Sequence, residues 1–261
     1  MIETERLDIE VLRRGLAPSR EKARGMIMAG EVLVNGQLAD KPGMRVPVAS
    51  EIAVKSKPRF VSRGGEKLEA AMKTFRLPAS GAVSADVGAS TGGFTDCLLK
   101  YGAAKVYAID VGYGHLDLGL RNDPRVVVME RTNARHLASL PELISLMVMD
   151  ASFISAKLLL PVTVGWMRPD AHAVILVKPQ FEAGRSDVGK GGVVRDSKVH
   201  SRVILEVAEF ALTIGLHPRG VVRSPLTGPA GNVEFLLWMS RTMPAADLDV
   251  YGAVERAVHG E

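Results

Sequence analysis

Residues 83–96 read V-S-A-D-V-G-A-S-T-G-G-F-T-D, and the fold class turns on them. A short apolar stretch runs into Asp86, then Gly88, Gly92 and Gly93 follow, and Phe94 opens a helical pattern. A first strand ends and a first crossover begins in this way in a doubly wound α/β domain. Glycines there let the backbone approach a ligand, because no Cβ stands in the way.

Which ligand is decided by what the turn lacks. A phosphate-cradling loop ends in Gly-Lys-Ser/Thr, and Gly92-Gly93-Phe94 supplies no lysine. The dinucleotide fingerprint G-x-G-x-x-G is poorly met by the spacing G-x-x-x-G-G. An acid just before the first glycine suits a ligand with a positive amino-acid moiety, such as S-adenosylmethionine (SAM), whereas Asp86 would face a pyrophosphate badly. The plainer alternative is a tight strand-to-helix turn with no ligand. On the SAM reading, the cofactor candidates of this turn are Asp86, Gly88, Ser90, Thr91, Gly92, Gly93 and Phe94.

Downstream, the strand and helix signals alternate. Val106 to Ile109 reads as a second strand ending at Asp110, where an acid can accept hydrogen bonds from both ribose hydroxyls of an adenosine cofactor. NAD and SAM both use this arrangement, and a turn-forming Asp before Gly112 is the bland alternative. Val126 to Met129 is a third strand, and Thr132 and Asn133 after it are placed to frame an adenine ring. Leu143 to Met149 is a fourth strand ending in Asp150, and Ala173 to Val177 a fifth ending in Lys178. Both charges then sit at carboxyl ends of parallel strands, the edge where such folds bind ligands. They are too costly to bury unpaired, so they form either a structural salt bridge or an acid/base system. Gly184 to Gly192 reads as a flexible basic loop beside that edge, Ser201 to Leu212 as a helix and His217 to Arg223 as a strand. Asn232 to Met239 reads as a final strand carrying Glu234, and the last twenty residues as a helix or a loose tail.

Upstream, Lys57 to Lys67 (K-P-R-F-V-S-R-G-G-E-K) marks a joint between domains at Pro58 and Gly64-Gly65. The expected division is a small domain over 1–57, a linker over 58–65 and the α/β domain over 66–261. A helix from Glu66 to Phe75 carries Lys67 in its first turn, where the helix dipole is slightly unfavourable to a cation. A solvated lysine and a catalytic one are both compatible with that position.

The first fifty residues read as a separate α+β module. Leu7, Val11 and Leu12 share one face of a helix from Arg6 to Arg14, and Gly15 stops it. Ser19 is a plausible N-cap for a second helix, Arg20 to Ala29, and Gly30 ends it. Glu31 to Val34, the Asn35-Gly36 turn and a strand from Glu51 to Lys55 complete a small sheet. Arg13, Arg14, Arg20, Lys22 and Arg24 cluster around the helix pair, which favours contact with phosphates. The alternative is a solvated face neutralised by Glu10 and Glu21.

Composition sets the outer bounds. The 261 residues are 47% apolar and carry a net charge of +4, of which residues 1–60 supply most, with eleven Lys/Arg against eight Asp/Glu. The single cysteine, Cys97, excludes an internal disulfide framework and fits a reducing cytoplasm, and it is expected as a small buried residue rather than a nucleophile. Met1 to Glu10 has no leader pattern, and the apolar runs Leu158 to Trp166 and Ala171 to Val177 fall far short of a membrane span. A cytoplasmic protein with no membrane partner is expected. The six histidines show no ligand spacing, so no metal is expected.

Two resemblances then sharpen the reading. R-L-D-I-E-V-L-R-R-G-L-A-P-S-R-E-K-A-R-G-M-I-M-A-G-E-V-L-V-N-G resembles the S4 RNA-binding domain, in which a helix pair presents basic residues to structured RNA. The resemblance implies RNA-binding roles for Arg6, Arg13, Arg14, Arg20, Lys22 and Arg24. Lys67, Asp150, Lys178 and Glu234, from four separate elements, look like the catalytic tetrad of FtsJ-type ribose 2′-O-methyltransferases. With S-R-G-G-E-K-L, A-I-D-V-G-Y-G, M-D-A-S-F-I-S, V-K-P-Q-F-E and G-N-V-E-F, the chain closely resembles the TlyA family over residues 6–240. That resemblance implies a Rossmann-like SAM-dependent methyltransferase domain behind an S4 domain, with SAM as cofactor and Asp150 beside it as well as in the tetrad. It implies transfer to cytidine 2′-hydroxyls of 16S and 23S ribosomal RNA, with ribosomal RNA or subunits as partner. A non-catalytic ribosomal RNA-binding assembly factor, a membrane-active haemolysin (a label that family often carries) and a nicotinamide oxidoreductase are the alternatives.

Overall fold

A computed structural model describes residues 3–55, 58–244 and 249–260. Lys57, the expected end of the first domain, lies outside them, as does part of the expected C-terminal tail. The chain divides into two compact units, Met1–Pro58 and Arg59–Glu261.

The first unit runs β1 (Thr4–Arg6), α1 (Leu7–Arg13), α2 (Arg20–Met28), β2 (Val32–Val34), β3 (Gln37–Ala39), β4 (Arg45–Pro47) and β5 (Ile52–Val54). Ser19 caps α2 by accepting from the Lys22 N–H, which satisfies one of the free donors at a helix start. Asn35 and Gly36 both adopt positive φ, the conformation a two-residue hairpin between β2 and β3 requires. The three-residue β1, paired with β4, has no counterpart in the sequence reading, because three residues carry no readable alternation. Leu7, Val11, Ala23, Ile27, Val32 and Val46 form the core of this unit.

In the second unit, α3 (Gly64–Phe75) precedes β6 (Val83–Val87), α4 (Gly93–Lys100), β7 (Lys105–Ile109), α5 (Leu118–Arg121), β8 (Val126–Met129) and β9 (Ile144–Met149). Then come α6 (Leu160–Thr163), β10 (Met167–Val177), α7 (Pro179–Glu182), α8 (Ser197–Thr213), β11 (His217–Arg223), β12 (Phe235–Ser240) and α9 (Val250–His259). Seven strands form one sheet in the order β11-β12-β10-β9-β6-β7-β8, with β10 to β8 parallel and β12 antiparallel to both neighbours. The strand order reverses at β6 and β9, the place where open α/β sheets bind ligands.

Side chains alternate across this sheet into two cores. Met147, Met149, Ile175 and Phe235 face one layer with Val203, Val207 and Val254, while Leu146, Val148, Leu176 and Leu236 face the other with Leu68, Phe94 and Leu98. Gly64 and Gly65, read in sequence as part of the joint, are the first turn of α3. β10 starts six residues before the expected Ala173. Its early part carries Arg168, Pro169 and Asp170, and a register shift between Met167 and His172 absorbs them, so the apolar pattern that reveals a strand is interrupted there.

Candidate active site

Sheet register builds the site. Val177 pairs with Phe235 across the antiparallel β10–β12 ladder, so Lys178, one residue after β10, emerges beside Glu234, one residue before β12. Glu234 is therefore not on the final strand, as expected from sequence; its carbonyl accepts from the Ser224 N–H in the turn that leads into β12. On the other side, Met149 pairs with both Ile175 and Val87, which sets Asp150 between Lys178 and Gly88. Gly88 has φ +87°, and a Cβ there would lie 2.6 Å from the Asp150 carbonyl oxygen, so only glycine fits.

Four side chains converge as two ion pairs. Lys67 Nζ, from the first turns of α3, lies 2.5 Å from Glu234 Oε2, and Lys178 Nζ lies 2.6 Å from Asp150 Oδ1. Lys178 directs its hydrogen bond to Ser152 Oγ at 2.8 Å, so its contact with Asp150 is an ion pair rather than an aligned hydrogen bond. Lys67, Lys178 and Glu234 are buried and Asp150 half-buried. Such charges are tolerable out of water only when paired, and removing one partner strands the other. All four line one cleft of about 280 Å³, together with Gly88, Ser90, Thr91, Gly93 and Phe94.

A narrow recess lined by Ala89, Ser90, Asp110, Leu116, Val128 and Glu130 adjoins the cleft, and Ala89 and Ser90 wall both. Asp110 sits at the tip of β7 and accepts from the Ser90 and Gly112 N–H groups, both at 2.7 Å. Each of its oxygens keeps a free lone pair. Ala89 and Ser90 thus join the strand tip that carries Asp110 to the cleft that holds the four charged side chains.

Four sequence candidates, Asp86, Gly92, Thr132 and Asn133, line neither the cleft nor the recess. Asp86 is fully buried beneath the turn and does not line the cleft; Thr95 Oγ1 donates to its Oδ2 at 2.7 Å, and its Oδ1 has no partner among the described residues. Burial pushes its pKa up to about 7, with Asp150 and Asp110 adding to the rise. Thr132 and Asn133 spend their side chains locally. Thr132 Oγ1 donates to the Glu130 carbonyl and Asn133 Oδ1 accepts from the Arg135 N–H, while the Thr132 N–H donates to the Asp110 carbonyl and fixes that strand tip. Gly92, with φ +95°, closes against Leu116 and Leu120. Cys97 is buried, and its thiol is pushed up to about 12 by burial, unfit for a nucleophile.

Sequence reading missed Ser152 and Phe153. Phe153 is 91% exposed at the mouth of the loop after β9, holds φ +64° and lies 5.2 Å from the Phe181 ring. A bulky residue in the left-handed region is strained, and a bare aromatic ring is unfavourable in water. The loop is stapled by Glu182, whose carboxylate accepts from Ser155 Oγ at 2.6 Å and the Ala156 N–H at 2.7 Å. The only sequence signal was an aromatic residue just past a strand end.

In the first unit the basic cluster is more organised than its sequence suggests. Arg6 and Arg20 both bond Asp8, and Arg13 and Arg14 both bond Glu10, whereas Lys22 and Arg24 are exposed with no ion pair among the described residues. Asp8, not Glu21, is thus the second neutralising acid.

Comparison with known proteins agrees with this geometry. Residues 60–241 match the FtsJ-like methyltransferase family and residues 5–52 the S4 domain. A 16S/23S rRNA (cytidine-2′-O)-methyltransferase TlyA of Mycobacterium tuberculosis is 49% identical, over 99% of this chain and 97% of its own. Hemolysin A of Brachyspira hyodysenteriae is 41% identical over 88% of this chain and 98% of its own. A solved structure from Streptococcus thermophilus, named a hemolysin, is 40% identical with a TM-score of 0.75 and covers 100% of this chain and 96% of its own.

Proposed function

The chain belongs to the FtsJ-like methyltransferase family, in its TlyA branch with an N-terminal S4 domain, and from that premise we propose that it is a cytoplasmic SAM-dependent ribose 2′-O-methyltransferase acting on cytidine in ribosomal RNA. The observation that carries the reading is the convergence of Lys67–Glu234 and Lys178–Asp150 on one cleft at the strand-order reversal. When bound, SAM supplies an electrophilic sulfonium methyl group. The Gly88–Phe94 turn and Asp110 are the residues that would hold it, with Asp86 supporting the turn from beneath through Thr95.

A ribose 2′-hydroxyl is a poor nucleophile at neutral pH, so its oxygen needs help as it sheds a proton. Lys178 Nζ, held by Asp150 and Ser152, is the group to stabilise the developing alkoxide as an ammonium, or to take that proton after passing its own to Asp150. Lys67 and Glu234 orient the hydroxyl from the other wall. Holding the two reactants in line contributes much of the acceleration. Phe153 and Phe181 offer a face on which an unstacked base can lie, a common mode of single-stranded RNA recognition. The arginine-bearing helix pair of the first unit supplies phosphate contacts.

Transfer of labelled methyl from SAM to purified ribosomal subunits and to naked ribosomal RNA, followed by nucleoside digestion, tests this. Label in 2′-O-methylcytidine supports it; SAM binding without transfer to any of these substrates supports an assembly factor instead. The hemolysin names favour membrane lysis as a second reading. No helix among the described residues is long and apolar enough to cross a membrane. Dye release from lipid vesicles separates the two, and the methyltransferase reading expects none.

A further inference from the structure

Two acids sit inside the basic face of the first unit. Asp8 and Glu10 are 0% and 1% exposed, and each is bracketed by two arginines that keep an outer side in water. On α1 they flank the apolar stripe of Leu7 and Val11, one on either side. Arg6 forks Asp8 with Nε to Oδ1 at 3.0 Å and Nη2 to Oδ2 at 3.1 Å, while Arg20 Nε reaches Oδ2 at 2.9 Å from α2. Glu10 Oε2 accepts from Arg13 Nη2 at 2.8 Å and Arg14 Nε at 3.1 Å, and Arg14 Nη2 continues to the Val48 carbonyl at 2.7 Å.

Simple attraction argues against this arrangement. Each acid cancels one of its two arginine charges, so an RNA-binding face would draw phosphates more strongly without them. What the acids supply is order. A free arginine loses much rotamer freedom when it grips a phosphate; one already held through one side of its fork loses less and keeps its other N–H groups for the ligand. We propose that Asp8 and Glu10 are positioning residues for RNA, each fixing a pair of arginines so that their outward N–H groups meet successive phosphates. The proposal rests on reading the first unit as the RNA-binding one.

The sign of the effect makes it testable in the full-length protein. Asp8→Asn and Glu10→Gln each raise the positive charge of the face by one, yet each is expected to raise the KM for ribosomal RNA about tenfold. Turnover at saturating RNA and SAM affinity stay unchanged, and Asp8→Glu recovers part of the loss. The slope of log affinity against log salt should fall by about one in each variant, as one phosphate contact loosens. Thermal unfolding checks the fold, and if Asp8→Asn unfolds the unit, Glu10→Gln on the far side of α1 carries the test. Equal or tighter binding in a folded variant overturns the proposal. Arg20→Ala separates the two levels. If it weakens binding while the acid variants do not, positioning alone fails; if it binds as wild type does, the RNA-face reading fails with it.

Discussion

Asp86 is an acid fully buried beneath the glycine turn. Its Oδ1 lacks a partner among the described residues, and burial lifts its pKa from 3.8 to about 7. Between those two values the unfolded chain has released the proton and the folded chain has not, so this group makes the fold less stable as pH rises from about 4 to 7. Asp86→Asn cannot ionise. Its stability relative to wild type should therefore improve across that window, by on the order of 4 kcal/mol at most, and level off above it. Unfolding midpoints of both proteins from pH 4 to 8 measure this, and parallel profiles would exclude a raised pKa. Phe153 makes the opposite bargain with its backbone. Glycine suits φ +64°, so Phe153→Gly should leave the melting temperature level or slightly higher while RNA methylation falls roughly tenfold or more, with Phe153→Trp retaining activity. A glycine variant as active as wild type would deny the ring a role in substrate binding.

At the scale of elements, ladder register joins the parts. The antiparallel β12 returns Glu234 to the carboxyl end of β10, and Asn232 secures the turn that makes this possible. Its Oδ1 accepts from the Val194 N–H at 3.0 Å, its Nδ2 donates to the Gly192 carbonyl at 2.9 Å, and its carbonyl accepts from the Gly228 N–H at 2.8 Å. The glycine-rich segment, expected to be a flexible loop, is in this way tied at Gly192–Val194 to the turn bearing Glu234. Asn232→Ala strands the buried Val194 N–H, a loss of about 1–3 kcal/mol, and should lower turnover more than SAM affinity because the Lys67–Glu234 pair loses its anchor. Thermal melts and single-turnover rates check both halves. Unchanged turnover despite the lost stability would make Asn232 structural only. None of this was readable in G-N-V-E-F, because side-chain bonds between distant loops leave no periodicity.

Over the whole molecule, the parallel core and the four charged residues that meet in the cleft could be read from sequence, and for different reasons. Apolar runs closed by Asp110, Asp150 and Lys178 are local signals, since a strand end with a charge on it is a few residues long. The S4 and TlyA motifs carried what periodicity could not, including the grouping of Lys67 and Glu234 with Asp150 and Lys178. Features that depend on tertiary placement were lost. Asp86 lies under the turn instead of in it, Thr132 and Asn133 bond locally, and Asp8 and Glu10 are buried inside a basic face. Backbone strain at Phe153 has no sequence signature at all.

The central claim is that Lys178 serves methyl transfer rather than structure or SAM binding. Lys178→Ala, assayed by calorimetry with SAM and by labelled methyl transfer to ribosomal RNA, tests it most directly. SAM affinity within about threefold of wild type and a loss of roughly 10²-fold or more in transfer are expected, the range for removing a positioned acid/base group. Transfer at the wild-type rate would contradict the assignment, and a loss confined to SAM affinity would move Lys178 from the reaction to the cofactor.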